Sequence, residues 1–156
     1  YPYIGWSGMR DGFEQTIRTL GLTDELTAQP TVTEVLYDNL IPLLAADGKR
    51  LRLADILDHI KFPSDGPQMH NFNAGWLTEV EGYASGDALT RVALQTLGIG
   101  EPSAETRPYL RINFSARAST PSWASLFEFA EAAHSHIHSC LARLTTDAMR
   151  SIWYQP

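Results

Sequence analysis

The strongest constraint on the fold is a stripe of apolar residues near the C-terminus. Its members recur at steps of three or four positions, at Trp123, Leu126, Ala130, Ala133, Ile137, Leu141, Leu144, Ala148 and Ile152. That spacing lines one face of an α-helix. Thr120 and Pro121 are typical of a helix start, since threonine caps the first turn and proline fits the first helical position. The pattern predicts one long helix over about 121–153.

The segment before this helix alternates between apolar and polar residues, which is typical of a β-strand. Leu110, Ile112, Phe114 and Ala116 fall on one face, and Tyr109, Arg111, Asn113, Ser115 and Arg117 fall on the other. The alternation predicts a strand over about 109–118. A single strand leaves its backbone amides and carbonyls unpaired, so it needs partners. Residues 51–53 and the residues around Tyr83 are the candidate partners.

Two segments in the N-terminal part favour helices. A capping box at Asp11 and Glu14 predicts a helix over about 12–20. Apolar residues at helical spacing predict a second helix over 32–44. Pro42 lies inside this second stripe, and it either kinks the helix or restarts it.

Three segments in the middle of the chain carry weaker patterns. Residues 51–60 fit either a strand followed by a helix or a single helix, and we favour the helix. Proline, glycine and polar residues in 62–76 predict a long loop, which is a common place for a binding surface. Residues 87–97 show apolar residues at helical spacing and are followed by Gly98, which predicts another helix. The predicted fold class is therefore mainly α, an α+β arrangement with a minor strand element.

Composition and charge exclude several classes of protein. The chain has 156 residues, of which 44% are hydrophobic and 19% are charged, so we expect a single globular domain over 1–156. Its formal net charge of −6 argues against extensive nucleic-acid contact, which needs many basic side chains on the phosphates. No apolar run is long enough to span a membrane. Because the first residue is Tyr1 rather than methionine, we expect a fragment of a longer chain.

Cys140 is the single cysteine of the sequence. One cysteine excludes an intramolecular disulfide and a zinc site built from several cysteines. It is compatible with a reducing compartment, so we expect a cytoplasmic protein.

The most suggestive polar cluster is the run from His134 to Cys140, which contains three histidines. On a helix, residues four apart lie on the same side one turn apart. His134 therefore pairs with His138, and His136 pairs with Cys140 on the other side of the buried stripe. One ion cannot collect all three imidazoles.

A zinc ion is a possible cofactor at the first of these pairs. His134 and His138 would need further ligands, for which Glu131 is the nearest candidate. Other candidates are His59, His70 and Glu128. The His-Glu-x-x-His signature of helix-borne metalloproteases is absent. We favour an ordinary structural role for these histidines.

A second polar cluster lies on the polar face of the predicted strand. Arg111, Arg117 and Tyr109 share that face, and Arg107 lies just before it. Guanidinium groups bind phosphate and carboxylate, so this face is a candidate site for an anionic small molecule. The alternative, which we favour, is a solvated sheet face paired with acidic side chains of a neighbouring strand.

Both ends of the chain are rich in large aromatic residues. Tyr3 and Trp6 lie at one end, and Trp153 and Tyr154 at the other. Either the two ends pack together within the domain, or they form an apolar patch that a partner covers.

No complete catalytic motif is found, so the sequence leaves open whether the protein is an enzyme. It favours a non-catalytic interaction or ligand-binding module that binds a protein partner or associates with itself. One alternative is a metal-dependent or acid–base hydrolase that uses His134 and His138. Another is a domain that senses phosphate or a nucleotide through Arg107, Arg111 and Arg117.

Overall fold

Four antiparallel strands form a single sheet, and one long helix packs across it. The computed structural model describes residues 5–21, 32–44, 48, 51–58, 60, 72–84, 86–99 and 107–153. Along the chain these residues form α1 (Gly5–Thr19), β1 (Val32–Pro42), α2 (Leu53–Ile56), β2 (Asn73–Glu79), β3 (Leu89–Ile99), β4 (Arg107–Ser119), α3 (Trp123–Leu144) and α4 (Asp147–Trp153). The order of strands across the sheet is β1-β4-β3-β2.

The register of the strands gives the sheet an apolar inner face. Phe114 on β4 lies opposite Tyr37 on β1 and Val92 on β3. Because side chains alternate along a strand, opposed residues lie on the same face of the sheet. Phe114 and Val92 are fully buried. The same face contributes further buried residues at Leu94, Leu110, Ile112, Ala116 and Ala118.

Helix α3 covers this inner face on the side of β1 and β4. Its buried face contains Ala133 and Ile137 from the predicted stripe, together with Phe129, which the stripe does not include; none of the three is exposed to solvent. The helix begins with Ser122, whose hydroxyl accepts a hydrogen bond from the Ser125 amide. Burial of this face against the sheet contributes to the hydrophobic stabilisation of the fold.

The predicted helix over 121–153 is interrupted after Leu144. Thr145 adopts an extended backbone and pairs with Leu57 in an isolated antiparallel bridge. The amide of Thr146 donates to the carbonyl of Ile56 at 2.9 Å, and the amide of Asp58 donates to the carbonyl of Leu144 at 2.8 Å. These bonds to the α2 segment replace helical ones, so the chain breaks and restarts as α4.

The outer face of the sheet carries no helix among the described residues. Several large apolar side chains on it are exposed, namely Val32, Leu36, Leu40, Leu77 and Leu89. Polar pairs lie between them, such as Arg111 with Asp38. No described helix is long and apolar enough to cross a membrane.

The prediction of a mainly α fold with a minor strand element is wrong. The structure is α+β, with 42% of the described residues in helices and 39% in strands. The two largest errors are β1 and β3, which the apolar spacing predicts as helices over 32–44 and 87–97. Both strands carry apolar residues on their outer as well as their inner faces, and the combined set imitates a helical stripe.

Other elements agree better with the sequence. The predicted strand over 109–118 is confirmed within β4, although its partners are β1 and β3 rather than residues 51–53 or those around Tyr83. Helix α1 contains most of the predicted 12–20 but begins earlier, at Gly5. The helix favoured over 51–60 is reduced to the four residues of α2.

The loop predicted over 62–76 is also only partly described. Its last residues form the start of β2, and residues 61–71 lie outside the described residues.

Candidate ligand-binding cavity

A cavity of about 420 Å³ opens between the C-terminal half of α3 and the inner face of β2. Its lining residues are Asp58, Ile60, Trp76, Thr78, Glu81, Phe114, Cys140, Arg143 and Leu144. The wall is mainly apolar, and the charged side chains stand at Asp58, Glu81 and Arg143. Its volume falls in the range of about 300–1,000 Å³ that is usual for small-molecule sites.

Strand β2 turns two of its side chains into this cavity. Trp76 lies opposite Val92, and Thr78 lies opposite Thr90. Since Val92 and Thr90 are both fully buried on the inner face, Trp76 and Thr78 must lie on that face as well. Helix α3 packs mainly on β1 and β4, and Trp76 on this edge strand is 42% exposed. An exposed indole beside a buried Phe114 offers a flat surface for an apolar or aromatic ligand.

On the opposite wall, Cys140 lines the cavity and pairs with the buried His136 behind it, as the helical spacing predicts. The Cys140 Sγ lies 3.4 Å from the His136 Nε2. The His136 Nδ1 accepts a hydrogen bond from the backbone amide of Glu81 at 3.3 Å. Glu81 lies in the turn between β2 and β3, so this bond ties the turn to α3.

Arg143 joins this cluster from the next turn of α3. Its guanidinium lies 3.2 Å from the Glu81 carboxylate and 3.8 Å from the Cys140 Sγ. Burial raises the pKa of the Cys140 thiol, which the nearby Arg143 only partly offsets. The thiol is therefore protonated at neutral pH and is a poor nucleophile.

Burial also lowers the pKa of His136 from its ordinary value of 6.5. The unfolded chain takes up a proton near pH 6.5, and the folded chain takes it up only at lower pH. Folding stability is therefore present above that pH and is lost as the pH falls below it, by at most about 1.4 kcal/mol per pH unit for one histidine. We expect the free energy of unfolding to fall between pH 7 and pH 5.

The variant His136→Gln tests this expectation in urea unfolding series at several pH values. Glutamine keeps an acceptor for the Glu81 amide but does not titrate. Its free energy of unfolding should depend less steeply on pH than that of the wild type. Equal slopes would contradict the assignment to His136.

A second cavity of about 570 Å³ lies between α1 and α3. Its lining residues are Glu14, Ile17, Arg18, Trp123, Ala124 and Phe127. Its two charged side chains bond to each other, with the Arg18 Nε 3.1 Å from the Glu14 carboxylate. This leaves little polar chemistry to orient a ligand, so the cavity beside Trp76 is the better candidate site.

The predicted histidine pair lies on the other flank of α3, facing β1 and α1. The ring centroids of His134 and His138 are 4.4 Å apart. The Tyr37 hydroxyl is hydrogen-bonded to the His134 Nδ1, and the Trp6 indole stacks on His134 with the ring planes only 4° apart. Burial, followed by the neighbouring His138, lowers the pKa of His134. His134 is thus enclosed by aromatic groups on two sides.

The third predicted zinc ligand, Glu131, is turned toward α1. Its carboxylate accepts hydrogen bonds from the Trp6 indole at 2.9 Å and from Arg10 at 3.2 Å. These contacts hold the pKa of Glu131 below its ordinary value. Within the described part of the chain, no three His, Cys, Asp or Glu side chains are placed to hold a metal ion. His59 and His70 lie outside that part, so zinc binding stays a prediction from the sequence.

The predicted anion site on β4 is spread out by the geometry of the strand. Arg111 and Arg117 are separated by six residues, or about 20 Å along an extended chain. Arg111 already donates two hydrogen bonds to Asp38, at 2.8 and 2.7 Å, which hold the pKa of Asp38 below its ordinary value. Tyr109 is half-buried, and the side chain of Arg107 lies outside the described atoms.

The aromatic chain ends are only partly described. Trp6 packs within the domain, on His134. Tyr3 and Tyr154 lie outside the described residues, as does the side chain of Trp153. Self-association through these residues stays a prediction.

The wall of the cavity that β2 provides is not predicted from the sequence. The sequence pattern predicts that Trp76 ends a loop, and it assigns Thr78 to no element. Trp76, Thr78 and Val80 are residue types that favour strands and lie two positions apart, which is a weak signal that could have identified this wall. The fold and the cavity together define an α+β domain with a helix-covered antiparallel sheet and a partly apolar pocket. Comparison with protein-family models, curated proteins and solved structures finds no match.

Proposed function

We propose that this protein is a non-catalytic module that binds a small, mainly apolar molecule in the cavity between α3 and β2. The observation that carries the proposal is the pairing of an exposed Trp76 with a buried floor at Phe114 and a few polar groups at one wall. Small-molecule sites usually have this composition, with the apolar wall supplying affinity and the polar groups supplying orientation.

The chemistry of the polar wall favours binding over catalysis. His136 does not act as a base toward Cys140, because the Glu81 amide already occupies its Nδ1 and leaves the proton on Nε2. The Cys140 thiol is held protonated by burial. A nucleophile activated by a base is therefore missing from this pair. A reducing cytoplasm, which we propose as the location, would keep the thiol free.

Titration with a fluorescent naphthalene ketone, 6-propionyl-2-dimethylaminonaphthalene, tests the proposal. We expect saturable one-to-one binding with a blue shift of the probe emission. Trp76→Ala should weaken binding about tenfold, because it removes the ring contact on one wall.

The matched control is Leu77→Ala, one residue along β2. Leu77 lies on the outer face and is 65% exposed, so its loss should leave the dissociation constant unchanged. Equal affinities for the wild type and Trp76→Ala, or no saturable binding at all, would contradict the proposal.

A further inference from the structure

We infer that the ligand of this cavity presents a neutral hydrogen-bond acceptor, such as a ketone or amide carbonyl oxygen, to the Cys140 thiol. The inference rests on the proposed function, because it concerns what the same cavity selects. It is supported by the direction of the hydrogen bonds around Cys140. The backbone amide of Glu81 and the guanidinium of Arg143 can only donate, and this fixes which of their neighbours accept.

The tautomer of His136 is set by its hydrogen bond with the Glu81 amide. A backbone amide can only donate, so the Glu81 amide at 3.3 Å makes the His136 Nδ1 an acceptor without a hydrogen. A neutral imidazole carries one N–H, which must then be on Nε2. The side chain is only 2% exposed, so water does not compete for these positions.

The Cys140 sulfur has two hydrogen-bond donors beside it. The His136 Nε2–H donates to the Cys140 Sγ across 3.4 Å. The guanidinium of Arg143 also only donates, and it approaches the same sulfur at 3.8 Å. The sulfur therefore accepts from two neighbours, and its own S–H finds no acceptor among the residues that the structure describes. Because Cys140 lines the cavity, the S–H is left to point into it.

The donors and charges at this wall determine which ligand group fits there. Cys140 and Arg143 are the donors that line this wall, so a ligand group that fits beside them must be an acceptor. The Arg143 guanidinium is already paired with the Glu81 carboxylate at 3.2 Å, so this wall offers no uncompensated positive charge that would hold a carboxylate or phosphate. A neutral carbonyl oxygen satisfies both conditions.

The test compares 2-acetylnaphthalene with 2-ethylnaphthalene, which differ in the carbonyl oxygen. Each competes with the fluorescent naphthalene ketone for the wild type, Cys140→Ser and Cys140→Ala. The preference for the acetyl compound should be lowest in Cys140→Ala, about fivefold higher in the wild type, and higher again in Cys140→Ser, whose hydroxyl is the stronger donor. The serine variant also shows whether loss of preference in the alanine variant reflects a damaged fold.

The outcomes separate the two proposals. If the wild type binds neither naphthalene nor the fluorescent ketone, the proposed function fails. If binding is saturable and sensitive to Trp76→Ala but the preference is the same in all three proteins, the function stands and the acceptor inference is overturned. Nitrogen NMR of His136 at pH 7.5 should show the proton on Nε2, and a proton on Nδ1 would overturn it as well.

Discussion

Leu94→Ala is expected to lower the free energy of unfolding by about 2–5 kcal/mol, because it removes a fully buried side chain from the inner face of the sheet. Leu94 lies opposite Ile112 on β4 and Ala74 on β2, so the lost volume is in the middle of the strand layer. Urea unfolding followed by circular dichroism measures the change.

The matched control for this variant is Leu77→Ala, the same substitution on the neighbouring strand and the opposite face. Leu77 is 65% exposed, so its truncation should change the free energy of unfolding by no more than about 0.5 kcal/mol. A loss at Leu77 as large as that at Leu94 would mean that another surface covers the outer face. It would contradict the assignment of a single buried face.

Phe129→Ala should be similarly severe, with an expected loss of about 3–5 kcal/mol. Phe129 on α3 is fully buried, and its ring meets the Tyr83 ring edge-on at 5.2 Å. Tyr83 lies in the turn between β2 and β3, so this contact joins the helix to the turn beside the cavity. Thermal or urea unfolding measures the loss.

Phe13→Ala on α1 is the corresponding control. The Phe13 side chain is 49% exposed, and it meets Trp123 and Phe127 only at ring distances of 6.3 Å. We expect a loss of about 1 kcal/mol or less. If both variants lost equal stability, α1 would be as firmly packed as α3, which the exposed surface of its apolar residues does not indicate.

The elements that the sequence predicts well are those with one apolar face. In β4, inner Phe114 and outer Ser115 differ sharply, so the alternation is unambiguous. In α3, the stripe meets the sheet on one side alone. Where apolar residues occupy both faces, as with Leu36 and Val35 on β1, the period of a helix and the period of a strand both fit the same residues. Tertiary context then decides between helix and strand.

The candidate site is also only partly predictable from the sequence. Helical spacing places His136 with Cys140 and His134 with His138 on separate flanks of α3, and the structure agrees. The sequence does not reveal which groups face each flank, because these come from distant segments. The Glu81 amide is an example, since every residue but proline has one and no side-chain pattern marks it.

The contact from Glu81 to His136 has a consequence for mutational surveys of this protein. Its donor is a main-chain amide, so replacing the Glu81 side chain by alanine leaves the bond to His136 in place. A survey that truncates side chains would detect only the loss of the exposed ion pair with Arg143, which contributes little stability, and would miss the bond to His136. Among the natural residues, only proline removes the donor. Without this hydrogen bond, either ring nitrogen of His136 can carry the proton. Natural or laboratory variants should therefore tolerate most residues at position 81, with proline as the informative exception.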